Sequence, residues 1–379
     1  MSKQIFVGMS GGVDSSLSAA LLVEQGYSVT GVFMKNWTRD LPGFKCAWED
    51  DYKDAKAVAV QLGIPLMVFD FEKDYRGRVV EYMLEAYAQG LTPNPDIVCN
   101  QEIKFKLFLE TAKQRGADMI ATGHYARTHD GCLYKGVDPG KDQSYFLYRV
   151  SREALNSSLF PVGELTKPEV RRRAQALGLA TADKPDSQGI CFVGEVGIKQ
   201  FLLHELGEQP YGDIIDQHNR VISQHDGAVF YTIGQRHGLN VGGGFPYYVT
   251  HKDMASNRVY VTTDLDDGRL WSDRITLVNP WWINQPPLPG HEYQVKTRYR
   301  ADTTACRVDV RSDSALLCLN EPVRAVSPGQ SAVIYDHDEV VGGGVIALAV
   351  RQGEKTATIG FSHEDSTRNT SDLSGILQT

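Results

Sequence analysis

The chain has 379 residues, of which 42% are hydrophobic and 23% charged, and its formal net charge is −8. That length exceeds one small domain, and the apolar content excludes a disordered chain. The acidic balance excludes indiscriminate attraction to nucleic acid, whose affinity rests on neutralised phosphates, while leaving a local basic face open.

The start, "MSKQIFVGMS", lacks the apolar core and cleavage site of a signal peptide, and no apolar run approaches the roughly 18 residues of a membrane helix. A cytoplasmic protein with no membrane partner is the expectation. In that reducing setting the six cysteines read as free or catalytic thiols. No C-x-x-C pair occurs, which argues against zinc and iron–sulfur sites.

In chain order, "QIFVG" (4–8) reads as a buried strand, and helical spacing follows from Ser15 to Glu24, stopped by Gly26. "SVTGVFM" (28–34) is a second strand, "WEDDYKDAKAVAVQLG" a helix stopped at Gly63, and "PLMVFD" (65–70) a third strand. Helices over about 75–89 and 101–115 end at Gly90 and Gly116, and "DMIATG" (118–123) is a further strand. This alternation predicts an α/β fold with a doubly wound, parallel, Rossmann-like sheet. After about Phe192 the pattern changes. "GDIIDQHNRVIS" (212–223) reads as a hairpin about His218-Asn219, and short alternating strands from Trp271 suggest a small barrel or sandwich. "WWINQPPLPG" (281–290) reads as a linker, and the polar tail from His363 as frayed. The expected division is 1–195, a small central domain 196–270, a β domain 271–362 and a tail 363–379.

"GMSGGVDSS" (8–16) lies where the first strand gives way to the first helix. Gly11 and Gly12 let the backbone approach an anion, Ser10, Ser15 and Ser16 offer hydroxyls, and the helix aims its N–H groups at the same point. There is no lysine of the G-x-x-x-x-G-K-[ST] kind. Asp14 would repel a bare phosphate, and Mg²⁺ between them would resolve the conflict. The loop resembles that of the pyrophosphatase-loop ATP enzymes, which cut ATP between its α- and β-phosphates. The resemblance implies an adenine-nucleotide-hydrolase-like fold and the cofactors ATP and Mg²⁺.

Two cysteines stand in turn-rich loops. Cys99, in "TPNPDIVCNQEIKF" (92–105), precedes a predicted helix capped by Asn100, where the helix dipole favours a thiolate. Cys191 lies in "KPDSQGICFVG" (184–194). Taken singly, each is as readily a small buried apolar residue. Together with "FMKNW" (33–37), "ATGHYAR" (121–127), "KDQSYFLY" (141–148), "LFPVGELTKPEVR" (159–171), "YTIGQRHGL" (231–239), "KTRYR" (296–300) and "PGQSAV" (328–333), these segments resemble the bacterial tRNA-specific 2-thiouridylases. The resemblance runs from residue 4 to about 346.

It implies ATP-dependent replacement of O2 of the wobble uridine by sulfur, with a C-terminal β-barrel and tRNA as partner. A sulfur-relay protein would load Cys191 as a persulfide, Cys99 would serve as second thiol, and the cycle would end in a Cys99–Cys191 disulfide. Asp96 would relay a proton. Gly8, Met9, Ser10, Gly11, Gly12, Val13, Asp14, Ser15, Ser16, Met34 and Gly123 would hold ATP, with Asp14 toward Mg²⁺. Asn94, Pro95, Asp96, His124, Lys141, Asp142, Gln143, Arg298, Tyr299 and Gln330 would meet tRNA. From the loop alone, an amidating synthetase or a non-catalytic ATP- and tRNA-binding module stays open.

Overall fold

A computed structural model describes residues 2–40, 46, 48–186, 197–239, 241–242 and 244–351. These form two compact units. The first takes residues up to Val80, then Pro95–Gly197 and Asp338–Val341; the second takes Glu81–Asn94, Ile198–His337 and the chain from Gly342.

The first unit opens as read from the sequence: β1 (Gln4–Gly8), α1 (Val13–Glu24), β2 (Ser28–Lys35), α2 (Trp48–Leu62) and β3 (Leu66–Asp70). A helical run follows as α3 (Glu72–Tyr75) and a π turn (Arg76–Val80), with α4 (Glu81–Ala88) continuing it into the second unit. A second run comprises α5 (Pro95–Val98), a π-helical stretch (Cys99–Leu107) and α6 (Phe108–Gln114). Then come β4 (Met119–Ala121), the hairpin β5 (Ala126–His129) and β6 (Cys132–Lys135), α7 (Arg152–Asn156), β7 (Ser158–Leu159) and α8 (Lys167–Ala176). The sheet order is β3-β2-β1-β4-β7, parallel throughout.

β1 is central because both its faces are covered: Ile5 and Val7 on one face have no exposed surface, and Phe6 on the other is 2% exposed. Leu17, Leu21 and Leu22 of α1 join the same apolar cluster. The chain leaves β1 toward β2 and β3, then returns on the other side through β4, so the connections diverge between β1 and β4. An open α/β sheet holds its ligand at such a point, beyond the carboxyl ends of the strands.

One local expectation fails in an informative way. Cys99 does not precede a helix capped by Asn100. Pro95, with its fixed φ and missing N–H, starts the helix four residues before Cys99. Cys99 is therefore inside a helical run, and buried Asn100 spends its side-chain N–H on the Phe146 carbonyl at 3.1 Å.

The second unit holds α9 (Ile198–Leu206) and the strands β8 (Gly212–Ile215), β9 (Val221–His225), β10 (Tyr248–Asp253) and β11 (Arg258–Thr262), in the order β10-β11-β8-β9. The β8–β9 turn places Asn219 at φ 60°, as the hairpin reading required. Beyond lie β12 (Trp271–Trp282), β13 (Tyr293–Lys296), β14 (Thr304–Val310), β15 (Ser314–Arg324), β16 (Ser331–Asp336) and β17 (Glu339–Val350). Their order β12-β15-β14-β13-β16-β17 is closed by β12 pairing with β17. It is a barrel, which removes open sheet edges. Segment 281–290 is not a linker: it begins on β12 and leads to β13 within the barrel.

Candidate functional site

The loop after β1 is fixed by steric necessity. Gly11 has φ 76°, and a Cβ there would stand 2.3 Å from the Asp51 carbonyl oxygen. Gly12 is the N-cap of α1 and supplies no side-chain acceptor, so the first-turn amides are left for another partner. Ser15 and Ser16 donate their hydroxyls to the Gly12 carbonyl at 3.0 and 2.9 Å, and Ser10 N–H donates to Ser15 Oγ at 3.2 Å. These hydroxyls shape the loop. Gly123, just past β4, abuts it: a Cβ there would meet Ser15 N at 2.7 Å. Met34 at the end of β2 lies over Gly8, its Cε 3.0 Å from where a Cβ would be. The whole set expected to hold ATP thus gathers at the divergence point of the sheet.

A lysine reaches the loop from far along the chain. Lys167, the first residue of α8, donates from Nζ to both Asp14 carboxylate oxygens, at 2.7 and 2.9 Å. The same ammonium reaches Asp186 Oδ1 at 2.7 Å and lies over the Tyr125 ring. Its place is set by the Thr166–Glu169 capping box and by its own N–H, which donates to Asp138 Oδ2 at 2.8 Å. Tyr125 donates its hydroxyl to Asp14 Oδ1 at 2.7 Å, and burial, with the Asp14 charge, pushes its phenol pKa upward. Asp186 also accepts from Lys141 and Arg171, each at 2.7 Å. Burial alone would raise this carboxyl, but Lys141 and Lys167 overcome it and bring it down to about 2.

Asp14 is therefore neutralised by a lysine. With both its oxygens so held, and no group of three His, Cys, Asp or Glu side chains placed for a metal among the described residues, these residues do not form a protein-built Mg²⁺ cage.

Beside this lies a second cluster. Cys99 is buried, and Asp96 sits three residues before it, on the same helical face. Burial raises the Asp96 carboxyl, and the Lys104 cation only partly opposes this. His124 has 8% exposure, shares a 2.8 Å hydrogen bond with Thr122 Oγ1, and is flanked by the rings of Phe105 and Phe160. Burial, aided by Lys104, drives its pKa well below the usual value, so the imidazole is neutral at pH 7. The residues after β4 face different ways in turn: Gly123 meets the loop, His124 packs on Phe105 and Phe160, and Tyr125 meets Asp14.

The other expected residues divide. Gln143 clamps Tyr125, accepting from its N–H at 3.0 Å while donating its own N–H to the Tyr125 carbonyl at 2.8 Å. Asp142 is buried and spends its carboxylate on Gly136 N, Ser144 N and Ser144 Oγ. Arg298 is exposed and Tyr299 half-buried in the second unit. Gln330, also there, donates its amide to the Thr92 carbonyl at 3.0 Å, and Asn94 lies two residues past Thr92. Cys191 lies outside the described residues. Sequence reasoning missed Lys167, Tyr125 and Asp186. Each stands in a quoted motif, but Lys167 is separated from Asp14 by 153 positions, and no local spacing signals the pair.

Family models match in three stretches, described as a tRNA methyl transferase HUP domain (3–195), a tRNA methyl transferase PRC-barrel domain (199–263) and an aminomethyltransferase beta-barrel domain (272–346). The tRNA-specific 2-thiouridylase MnmA of Bacillus subtilis is 45% identical over 93% of this chain and 97% of its own length. That of Shewanella amazonensis is 48% identical, over 92% and 96%. The chain belongs to the tRNA-specific 2-thiouridylase family. A solved 4-thiouridine synthetase–RNA complex with bound ATP, 16% identical over 51% of this chain and 45% of that one, has a TM-score of 0.34, too slight a likeness to bear weight. Within the family the matched region spans both units described above. Among the described residues no helix is long and apolar enough to cross a membrane.

Proposed function

We propose that this protein is an ATP-dependent tRNA-uridine 2-sulfurtransferase, acting on the wobble uridine in the cytoplasm. The observation that carries the reading is the meeting, at the carboxyl ends of β1 and β4, of an anion-ready helix terminus with the Asp14–Lys167 pair. It lies one residue, through Gly123–His124, from the ring contact of His124 with Phe105, which stands on the helical stretch that begins at Cys99. Relatives that bear the thiouridylase name over nearly their full length support the choice of reaction.

In this reading uridine O2 attacks the α-phosphorus of ATP. An O2–P bond forms, the α–β bond breaks, and its electron pair leaves with pyrophosphate. The N3 proton passes to a base, for which Asp96 is our candidate, since burial already raises its affinity for a proton. The loop amides and Lys167 offset charge on the departing pyrophosphate. Mg²⁺ would arrive as the counter-ion of ATP.

A relay protein loads Cys191 with sulfur as a persulfide. Cys99 thiolate attacks Cys191 Sγ, a Cys99–Cys191 disulfide forms, and the outer sulfur leaves as sulfide. Sulfide adds at C2 and AMP departs; direct transfer of the sulfur reaches the same products. A thiol reductant resets the enzyme. Residues 1–195 would carry this chemistry, 196–270 would form a central domain, and 271–362 would contact tRNA through Arg298 and Tyr299, one offering charge and the other a ring face.

Purified protein given ATP, Mg²⁺, tRNA and a persulfide donor should yield AMP, pyrophosphate and 2-thiouridine in equal amounts. ADP as the product would overturn the reading. Cys191→Ser should abolish thiolation, and wild-type product from it would remove the persulfide role.

A further inference from the structure

The segment "YTIGQRHGL" (231–239) has no part in the chemistry above, yet the second unit holds it with unusual care. Gly234 N–H donates to the Val249 carbonyl at 2.8 Å, and Val249 N–H donates to the Gln235 carbonyl at 3.1 Å. Gln235 closes the turn from inside: its Oε1 accepts from Thr232 N–H at 3.0 Å and its Nε2 donates to the His237 carbonyl at 2.9 Å. Lys252 Nζ holds the Tyr231 carbonyl at 2.7 Å, and Tyr231 donates its hydroxyl to the Gly238 carbonyl at 3.4 Å. Gly234 has φ 81° and fits so closely that a Cβ would stand 2.4 Å from Ala325 Cβ.

What this frame presents is Arg236 and His237, both exposed at its tip. Among the described residues Arg236 has neither an ion pair nor a hydrogen bond from its guanidinium. A surface arginine needs no rigid backbone to stay dissolved. Fixing the backbone beneath a free guanidinium lowers the ordering cost when that group binds, and its planar fork suits phosphate.

A second observation names the ligand. Thr232, in the same turn, is 3.4 Å from Thr92 through their hydroxyls. Thr92 N–H donates to the Pro328 carbonyl at 2.9 Å, and Gln330 donates to the Thr92 carbonyl. The turn is thus joined, within one unit, to the segment that ends at Asn94 and to the Gln330 loop, two segments expected to meet tRNA. On a chain of net charge −8, an unpaired cation fixed there marks where a polyanion would pass.

We propose that Arg236, with His237 beside it as a hydrogen-bonding group, is a binding point for a tRNA backbone phosphate. The proposal rests on tRNA being the substrate. It is tested by tRNA binding across a salt series for wild type, Arg236→Gln, Arg236→Lys and Arg311→Gln, an exposed arginine elsewhere on the second unit. Arg236→Gln should bind about tenfold more weakly at low salt, with the slope of log affinity against log salt lower by about one. Its KM for tRNA should rise, Arg236→Lys should keep the wild-type slope, and Arg311→Gln should match wild type. A wild-type slope in Arg236→Gln, alongside wild-type thiolation by the parent, overturns this site alone. Failure of the wild type to bind or thiolate tRNA overturns the functional reading and this site together. A loss of affinity in Arg236→Gln with no change of slope assigns the turn a purely structural role and also overturns the site.

Discussion

Lys167→Met removes one ammonium from a site with three nearby anions, and the structure indicates what should follow. The Lys167 side chain is 12% exposed, against 30% for Asp14 and 25% for Asp186. Asp186 keeps Lys141 and Arg171, so its loss is partly covered. Among the described residues Asp14 keeps the Tyr125 hydroxyl. Orphaning a fully buried charge costs about 3–5 kcal/mol; with nearly a third of Asp14 facing water, roughly 1–2 kcal/mol is the appropriate scale. In a domain of this size that corresponds to a fall in Tm of about 2–8 °C. The catalytic effect should be larger. Removing a preorganised group that faces developing charge costs about 2.7–4 kcal/mol, or roughly 10²–10³-fold in turnover. Pyrophosphate and AMP release, measured beside a thermal melt, separates the two effects. Lys167→Arg should restore the melt and part of the rate. Turnover by Lys167→Met within about threefold of wild type would refute the argument that this lysine replaces the one absent from the loop.

Three further outcomes follow from the geometry. Cys99→Ser should eliminate 2-thiouridine while pyrophosphate release continues, as quantified by nucleoside analysis and a phosphate-coupled assay; loss of both would move Cys99 into the adenylation step. Gly123→Ala puts a methyl 2.7 Å from Ser15 N, so the strand end must separate from α1. A cost of about 1–3 kcal/mol and weakened ATP binding by calorimetry should result. Asp186→Asn should be less stable than wild type by about 1 kcal/mol near neutral pH, once its partial exposure is allowed for. Because the folded carboxyl titrates at about 2, below its ordinary value, its contribution is present above about pH 4. The difference between the two proteins should close as pH falls through about 2. A gap that persists there would mean that packing, and not charge, sets the effect.

What was legible in the sequence was local. The predicted helix stops Gly26, Gly63, Gly90 and Gly116 all have positive φ, between 67° and 91°, so each ends its helix by the conformation only glycine adopts cheaply. Apolar runs and helical spacing gave the strand and helix order of the first sheet. The errors arose where two local signals competed or where no local signal existed. At 95–100 both Pro95 and Asn100 are sound helix-start residues; burial of Asn100 beside Phe146 decided for Pro95. At 281–290 proline and glycine suggested a linker, although the flanking residues belong to strands of one barrel. The β5–β6 hairpin was overlooked despite Asp130-Gly131, whose φ values of 50° and 75° are those of a two-residue turn.

Lys167 belongs to the class with no local signal, and its position carries a consequence for how the site handles charge. A lysine inside the phosphate loop would be an unopposed cation in the free protein. On α8 it instead holds Asp14 and Asp186 together, and Asp186 is shared with Lys141 of the segment expected to meet tRNA. Gln143 of that same segment clamps Tyr125, whose hydroxyl returns to Asp14. Two separate chains of contacts thus run from residues 141–143 to the nucleotide loop, one ionic and one through the tyrosine. A triphosphate that draws Lys167 away from Asp186 leaves Lys141 and Arg171 to hold that carboxylate, so the ionic chain is altered while the Tyr125 chain stays intact. Any influence of nucleotide on tRNA affinity through this route must be matched by an equal influence of tRNA on nucleotide affinity. Asp186→Asn should therefore shrink both influences together, and a coupling of wild-type size in that variant would show that the ionic chain is not what joins the two sites.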